Sequence, residues 1–519
     1  MRPEGILRRW LTPSLLDCLP VSLLVWQFAA GGRWLALLAD GDTGWHIRTG
    51  EYVLATGSWP RHDLFSFSKP GQPWFAWEWL SDVILALAHR AAGLGGVVVA
   101  AACAIVLAAL VLVRRMINQG ANAFVAMIVL MLALGAASIH FLARPHVFTL
   151  LLWSLAWAMI ERDRERRGAG IWWLVPLTVI WVNAHGGFVA LLASLALLAA
   201  GVALEAWLAG GRWPEDFRPA LRYGVLLGAC TAASLINPYG WRLHAHIASY
   251  LRSDWIRNVV DEFQSPKFRS EYSLYFELIL FVALMAVPSL LARQRVAEAL
   301  LGVFWAHAAL VSARHVPLFV FLVAPQAASW LSALWERAST ALGARSVPAI
   351  LGQVSADLGP GFARLSAWAV LGPALVVAAT PEAHWPRDFP AAKFPVAIVE
   401  RHKDRLAGSR VFTSDQWADY LIYRFYPTQR VYFDGRSDFY GPDLGNEYLK
   451  IVQGKGDWRE RLARWDFRFA LVPTDWPLAA LLESSTDWEL VEKSRHALLF
   501  RRMPDRRLQL KKSPGSAEL

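Results

Sequence analysis

Long apolar runs occupy most of the first 380 positions and alternate with short polar segments. Each run holds about 15 to 24 apolar residues, and a helix of about 20 such residues crosses the hydrocarbon core of a bilayer. The pattern therefore predicts about eleven membrane-spanning helices. These spans are Leu15–Leu38, Gly95–Val113, Ala121–Ala137, Pro145–Ile160, Ile171–Val182, Gly187–Leu208, Tyr223–Ile236, Leu274–Leu291, Val296–Val311, Val316–Leu334 and Leu365–Ala379.

The segment Trp77–Gly93 fits either a further span or a helix lying on the membrane surface. It contains Glu78 and Asp82, and charged side chains are costly at membrane depth. If it lies on the surface, Arg114, Arg115 and the other arginine-rich loops all face the cytoplasm, as the positive-inside rule requires. We therefore predict an interfacial helix and a cytoplasmic N-terminus that is retained as the start of the first span.

This topology collects the remaining polar segments on the extracytoplasmic side of the membrane. It also divides the chain into a transmembrane module over residues 1–380 and an extracytoplasmic α/β domain over residues 381–519. The extracytoplasmic segments within the module are residues 39–94, His140–His146, Asn183–Gly187, Asn237–Tyr272 and the turn around Arg314 and His315.

The C-terminal part has the pattern of a small α/β domain. VFTS and RVYFDG are predicted strands, and DQWADYLIYRF has apolar residues at helical spacing behind an aspartate cap. DWRERLARWDFRFALVPT predicts a helix and a strand, and DWELVEKSRHALLFRR predicts a closing hairpin. Asp434, Arg436 and Asp438 would then follow a strand, where α/β domains often carry sites. The alternative is that they cap a turn and pair with one another.

Composition agrees with a membrane protein. Hydrophobic residues make up 55% of the chain, charged residues 18%, and the mean hydropathy is +0.32. The net charge of +10 does not indicate nucleic-acid binding, because much of the excess lies in loops between spans. The three cysteines lie in apolar stretches, which indicates neither a disulfide scaffold nor thiol chemistry.

Arginine and histidine recur together at the extracytoplasmic turns. Arg144 and His146 flank a proline that starts a predicted span. Arg314 and His315 directly precede a later span, and His185 lies in the turn NAHGG. Arginine at a helix start opposes the helix dipole, so it is not a cap, whereas its planar guanidinium suits a phosphate.

The alternative for each arginine is snorkelling at the interface, or pairing with an acid such as Asp42 or Glu262.

Asp42 follows the first span and precedes Trp45 and His46. An acid in this setting is a candidate general base or metal ligand, and the alternative is an exposed loop acid. Further candidates are Asp63, Glu78 and Asp82. The sequence has no glycine-rich phosphate loop, no zinc-ligand spacing and no nucleophile elbow, which weighs against nucleotide hydrolysis and serine hydrolase chemistry.

Taken together, these features resemble the GT-C superfamily of membrane glycosyltransferases, which use polyprenyl-phosphate-linked sugars. The strings that carry the resemblance, shared with a broad group of related bacterial membrane proteins, are DTGWHIRTGEYVLATGSWPRHDLFSF, FLARPHVF, NAHGGF, NPYGW, RHVPLF and VYFDGRSDFYG. The resemblance covers nearly the whole chain. It implies a GT-C-like arrangement of spans, transfer of a hexosyl or pentosyl group, and a lipid, glycan or protein acceptor.

The resemblance also implies roles for individual residues. Asp42 would match the first-loop acid, which helps to deprotonate the acceptor or binds a metal. Arg144 and His146 would lie near the phosphate, and Arg314 and His315 would be later phosphate contacts. Many members carry acids in the second loop, but this sequence has none between residues 138 and 148. A divalent metal therefore stays an open alternative, and no other cofactor is implied.

Three other functions compete with this hypothesis. A polymerase or ligase of lipid-linked glycans would share the architecture and use a pyrophosphate-linked donor. A transporter would carry charged groups near the bilayer midplane, whereas these spans are almost free of them. A non-catalytic envelope scaffold would need its C-terminal domain but not the individual polar residues of the turns.

Overall fold

The computed structural model describes residues 10–362 and 364–503. The start of the predicted cytoplasmic N-terminus and the last residues of the predicted C-terminal domain lie outside this part of the chain. Contacts divide the chain into two compact units. The helical unit comprises Met1–Leu37 and Trp77–Pro386, and the sheet unit comprises Leu38–Ala76 and Arg387–Leu519.

The helical unit consists of α-helices joined by short turns. Apolar residues fill most positions of these helices, and apolar side chains make up most of the buried residues of this unit. Its α-helices are Leu15–Leu24, Trp79–Asn118, Ala123–Ala137, His146–Glu165, Leu174–Ala184, Phe188–Leu208, Arg218–Ala233, Trp241–Arg252, Asp254–Val259, Ser273–Ala292, Val296–Val311, Val316–Leu342, Val347–Phe362 and Trp368–Ala379.

Five helical segments of the described chain are long and apolar enough to cross a membrane, and four shorter helical segments are also apolar. Each predicted span overlaps a helix, and Val296–Val311 is matched at both ends. The helix Val347–Phe362 was not predicted. The chain is thus a membrane protein with a mainly helical fold, and the number of spans stays a prediction.

The predicted boundary between a surface helix and a span appears as a kink. Trp79–Asn118 consists of two helices that meet at Ala92 and Gly93, which have non-helical backbone angles, and Gly93 has φ +58°. Glycine adopts this left-handed conformation without the steric cost of a side chain. The helix therefore changes direction where the surface segment was expected to end.

The first predicted span is not one regular helix. Leu15–Leu24 continues as a π-helical turn at Val25–Ala29 and a 3₁₀ segment at Ala30–Leu38. Its start is fixed by Asp17, whose carboxylate accepts hydrogen bonds from the backbone N–H of Ser14 and from the N–H and hydroxyl of Ser366. These bonds attach the beginning of the first helix to the segment that leads into Trp368–Ala379.

The sheet unit holds four strands and several helices. The strands are β1 Val411–Thr413, β2 Phe469–Pro473, β3 Trp488–Lys493 and β4 Ala497–Arg502, in the order β1-β2-β4-β3. β1 and β2 are parallel, whereas β2–β4 and β4–β3 are antiparallel. The helices are Thr43–Thr56, Val396–Arg401, Lys403–Leu406, Asp415–Phe425, Ser437–Val452, Trp458–Arg464 and Pro477–Glu483.

The predicted β1, β2 and closing hairpin are present, but the predicted RVYFDG strand is wrong. Within the described chain, Val431 makes only an isolated bridge to Ser66. Asp434, Arg436 and Asp438 therefore follow an irregular segment and not a strand. The predicted aspartate cap is also wrong, because Ser414 caps the helix Asp415–Phe425 by accepting from the N–H of Trp417.

Leu38–Ala76 packs with the C-terminal residues, although the sequence predicted residues 39–94 as part of the transmembrane module. Small residues make this packing close. A Cβ on Gly41 would lie 2.2 Å from the carbonyl oxygen of Gln416, and one on Gly44 would lie 2.5 Å from that of Asp419. The helices Thr43–Thr56 and Asp415–Phe425 thus meet backbone to backbone. The membrane side of the sheet unit stays a prediction.

We expect Gly44→Ala to destabilise the sheet unit by about 1–3 kcal/mol, because the added methyl group overlaps main-chain atoms that cannot move independently. Thermal unfolding of the purified full chain would measure this. Gly224→Ala is the matched control, since a Cβ at Gly224 would have no described atom within 4 Å. Equal stability of the two variants would contradict the close packing.

Candidate functional site

The helical unit brings together four polar turns that are far apart in the sequence. We call their side chains the arginine–histidine cluster, and it also contains one carboxylate, Glu262. The turns join consecutive helices, so each places its side chains at a helix end. Electrostatic interactions connect all of its members, which are His140, Arg144, His146, His185, Glu262, Arg314 and His315.

Arg144 pairs with Glu262 at 3.1 Å between Nη1 and Oε1. This is the ion pair that was expected as the alternative to a free phosphate contact. Burial opposes ionisation of Glu262, but the charges of Arg144 and Arg314 outweigh it and lower its pKa to about 2. Glu262 is therefore a carboxylate at any physiological pH.

Arg314 lies against the same loop. Its guanidinium carbon is 4.4 Å from the ring centroid of Phe263, and the N–H of Ala313 donates to the carbonyl of Gln264 at 2.9 Å. Among the described residues, its Nη1 is buried and has no hydrogen-bond partner. A buried guanidinium nitrogen without an acceptor is costly, and an anion placed there would remove the cost.

His185 is held as a neutral imidazole. Its Nδ1 accepts a hydrogen bond from the N–H of Gly187 at 3.0 Å, so this nitrogen carries no proton. Thr149 contacts the same nitrogen at 2.8 Å, and Nε2 faces Glu78 at 3.4 Å. Burial and then the charges of Arg314 and Arg144 lower the pKa of His185 to about 3.

His146 and His315 are fixed by backbone carbonyls. His146 Nε2 donates to the carbonyl of His140 at 2.8 Å, and His315 Nδ1 donates to that of Ala308 at 3.2 Å. Asp82 is fully buried in the first turn of the helix Trp79–Asn118. The candidate residues of the helical unit therefore occupy well-defined positions, and they provide both cationic and neutral hydrogen-bond donors.

The sheet unit contains the other candidates, centred on Asp42. Asp42 is 5% exposed and stands at the N-terminus of the helix Thr43–Thr56. A Cβ at Gly435 would lie 1.9 Å from Asp42 Oδ1 and 2.9 Å from Asp419 Oδ2. Two carboxyl groups from distant parts of the chain thus meet at a position where only glycine fits. We call them the carboxyl pair.

Asp419 is fully buried on the helix Asp415–Phe425. Its Oδ1 accepts from the N–H of Gly435 at 3.1 Å, whereas its Oδ2 has no partner among the described residues. Burial, followed by the charges of Asp42 and Asp434, raises its pKa well above the ordinary aspartate value. The carboxyl pair therefore retains a proton to higher pH than an isolated aspartate would.

Arg436 belongs to a buried ion network and is not open to a ligand. It is 2% exposed and binds Asp434 through Nε at 2.8 Å and Nη2 at 2.6 Å. Nη2 also lies 2.9 Å from Asp63, and Tyr440 donates to Asp434 at 2.7 Å. The alternative for FDGRSD was that its acids and its arginine pair with one another. The pair of Arg436 with Asp434 agrees with it, whereas the second acid is Asp63, from outside this string.

His46 lies one helical turn after Asp42. It is 1% exposed, and its ring centroid is 3.6 Å from that of Trp45.

Within the described chain, no group of three or more His, Cys, Asp or Glu residues has a geometry that could hold a metal ion. The carboxyl pair supplies two convergent oxygens, and Mg²⁺ in proteins is usually held by one or two carboxylates, with water and phosphate oxygens as its other ligands.

Asp419 and Gly435 were missed in the sequence, and Glu262 was considered only as a pairing partner. Asp419 could have been noticed because it lies on the buried face of the predicted helix DQWADYLIYRF, where an unpaired acid is unexpected. Gly435 gave no such signal, because a glycine in a turn is common. Its importance depends on which side chains approach it from elsewhere in the chain.

No family model matches the sequence, and no curated protein matches it. Among solved structures, the chain is similar to the oligosaccharyltransferase AglB from Archaeoglobus fulgidus in complex with an inhibitory peptide and a dolichol-phosphate. The identity is 12%, the TM-score is 0.54, and the match covers 89% of this chain and 69% of AglB. AglB tethered to an acceptor peptide matches with TM-score 0.53 at 12% identity, over 91% of this chain and 70% of that one.

ArnT from Cupriavidus metallidurans bound to undecaprenyl phosphate is also similar. Its TM-score is 0.47 at 14% identity, and the match covers 92% of this chain and 98% of ArnT. The likeness to AglB, at its low identity, shows the fold alone. The predicted resemblance to the fold of the GT-C superfamily is thereby confirmed.

We expect Asp419→Asn to stabilise the sheet unit at neutral pH. A carboxyl whose pKa is raised on folding contributes its full stability at pH values below its pKa in the unfolded chain. This contribution is lost as the pH rises towards its pKa in the folded chain. The Tm of the variant should therefore exceed that of wild type at pH 7, by roughly 2–4 °C per kcal/mol gained. At about pH 3 the two proteins should have the same Tm. Thermal scans of the full chain would test this.

Asp438→Asn, on the neighbouring helix Ser437–Val452, is the matched control. A uniform shift of Asp419→Asn at all pH values would contradict the assignment.

Proposed function

We propose that the protein is an integral-membrane glycosyltransferase. It transfers a sugar from a polyprenyl-phosphate donor to a lipid, glycan or protein acceptor at the outer face of the cytoplasmic membrane. The observation that carries the proposal is Arg314, whose buried Nη1 has no hydrogen-bond acceptor among the described residues and lies in a cluster with Arg144. The fold shared with AglB and the apolar helices support it.

The proposed reaction is a displacement at the anomeric carbon of the donor sugar. The acceptor oxygen forms a bond to this carbon as the bond between the carbon and the phosphate oxygen breaks. The electron pair leaves with the polyprenyl phosphate, and the acceptor proton passes to a base. The enzyme must therefore supply a base and fixed positive charge for the departing phosphate.

The arginine–histidine cluster is proposed to bind the phosphate. Arg314 offers a buried donor that an anion would satisfy, and Arg144 offers a second guanidinium. The neutral histidines add direction and no charge. His185 is prevented from taking up a proton by its contact with Gly187, so the cluster's positive charge stays on the arginines.

Asp42 is proposed to be the base, with His46 as the second catalytic candidate. The neighbouring Asp419 supports this role, because a second buried carboxyl disfavours two negative charges and so increases the pair's affinity for a proton. No step of this mechanism passes through a metal. Asp63 and Arg436 are proposed to stabilise the turn that contains Gly435, since both are committed to the buried ion network.

We expect Asp42→Asn to reduce transfer at least about 100-fold, because general-base catalysis contributes factors of this size. Envelope glycans and glycolipids would be compared by mass spectrometry in wild type, in a deletion strain, and in the deletion complemented with Asp42→Asn at matched protein level. The deletion and the Asp42→Asn strain should lose the same sugar and accumulate its lipid-linked precursor.

The exposed Asp487→Asn in the same unit should restore the wild-type profile. Restoration by Asp42→Asn would exclude this aspartate as the base. An unchanged profile in the deletion would favour the scaffold.

We expect Arg314→Gln to raise the Kd for undecaprenyl phosphate by about 10- to 100-fold, because hydrogen bonds to charged groups contribute about 1.5–3 kcal/mol. Binding to the purified full chain in nanodiscs would measure it. Arg269→Gln removes an exposed arginine before the helix Ser273–Ala292 and should leave the Kd unchanged. Equal affinity of wild type and Arg314→Gln would rule out Arg314 as a phosphate ligand.

A further inference from the structure

The arginine–histidine cluster contains its own anion. Glu262 lies in the short 3₁₀ segment Asp261–Phe263, whose neighbour Gln264 accepts a hydrogen bond from Ala313. The hydroxyl of Ser312 donates to the carbonyl of Glu262 at 2.9 Å. These bonds fix the loop along the turn that carries Arg314, so the carboxylate is held next to both guanidinium groups.

The position of Glu262 makes it a competitor for the phosphate. Its Oε1 is 3.1 Å from Arg144 Nη1, and its interaction with Arg314 is also favourable. A phosphate that contacts both arginines would therefore lie beside a carboxylate. Glu78, which faces His185 at 3.4 Å, adds another carboxylate to the surroundings of the cluster.

The histidines do not offset these carboxylates. His185 accepts the Gly187 N–H at Nδ1 and is therefore neutral in this geometry. His315 donates one ring N–H to a backbone carbonyl, and burial, followed by the charge of Arg314, lowers its pKa to about 4. Burial likewise lowers the pKa of His140 to about 4, and His146 donates its Nε2–H to the carbonyl of His140. The positive charge that faces Glu262 is therefore supplied by the two guanidinium groups, of which one is already paired.

We propose that Glu262 is a specificity-determining residue that selects a donor with one phosphate over a donor with a pyrophosphate. This inference rests on the proposed function and adds to it the number of phosphates in the donor. Each additional negative charge on the ligand would face a fixed carboxylate at close range, where charge–charge interactions in a partly buried site are strong. A single phosphate can use Arg314 while Glu262 remains paired with Arg144.

The experiment uses two probes with the same lipid, geranylgeranyl phosphate and geranylgeranyl pyrophosphate. Their affinities for the full chain in nanodiscs are measured at neutral pH for wild type, Glu262→Gln and Asp261→Asn. Glutamine keeps the size of the side chain and removes its charge. Asp261 is the matched control, because it is the adjacent acid and is exposed, pairing with Lys267 at 3.3 Å.

We expect wild type to bind the monophosphate at least about tenfold more tightly than the pyrophosphate. Glu262→Gln should reduce this ratio by about tenfold or invert it, because the neutral amide no longer repels the additional charge of the pyrophosphate. A tenfold change corresponds to about 1.4 kcal/mol of interaction. Asp261→Asn should leave the ratio unchanged. Thermal unfolding of each variant shows whether it is folded. The ratio measured for wild type tests the inference even if a variant does not fold.

The inference is overturned if wild type binds the pyrophosphate as tightly as the monophosphate. It is also overturned if a folded Glu262→Gln protein keeps the wild-type ratio. Binding of both probes without discrimination would leave the proposed phosphate site in place. Failure of wild type to bind either probe would overturn that site, and with it the inference.

Discussion

Burial of charge is the constraint on which both units depend. A charged group removed from water is costly unless an opposite charge and hydrogen bonds compensate it. In the helical unit, Arg115 meets this requirement with both carboxylate oxygens of Glu161 at 2.8 and 2.7 Å and with the carbonyl of Phe321. In the sheet unit, Arg436 meets it with Asp434 and Asp63. These networks fix the positions of helices and turns.

Arg314 and Asp419 depart from this rule. Each has a buried atom without a hydrogen-bond partner in the described chain, and neither is hydrogen-bonded to an opposite charge there. Functional sites often carry such local costs, because a group that is fully satisfied within the protein has nothing left to offer a ligand. Nη1 of Arg436 is likewise buried without a hydrogen-bond partner in the described chain, but its guanidinium is ion-paired with Asp434 and Asp63, whereas that of Arg314 lies against Phe263.

Much of the fold could be predicted from the sequence, because runs of apolar residues depend on local composition. The helix Val296–Val311 was predicted at both ends, and the hairpin of β3 and β4 was predicted from the string DWELVEKSRHALLFRR. The arginine and histidine turns were predicted to share one face of the membrane, because the number of spans between two turns determines the side that each turn faces. RVYFDG was mistaken for a strand because its apolar residues pack on aromatic neighbours instead of pairing in the sheet, as the contact of Tyr432 with Phe467 illustrates.

The pairing of residues distant in sequence could not be predicted. Asp42 was singled out as an acid after the first span, yet its neighbour Asp419 comes from a helix near the other end of the chain. The same holds for Glu262, whose partner Arg144 is 118 residues away. Local patterns predict which residues are polar at a helix end, but tertiary packing alone decides which of them meet.

The division of the sheet unit between two distant segments has a consequence for synthesis. The N–H of Gly41 donates to the side chain of Gln416, which is 375 residues later in the chain. At about 5–20 residues per second, roughly 20–75 s pass between translation of the two partners. During this interval Leu38–Ala76 lacks the surface that buries its aromatic side chains. Phe65 and Trp74, which both contact the guanidinium of Arg436 in the folded chain, lack this partner until the C-terminal residues are made.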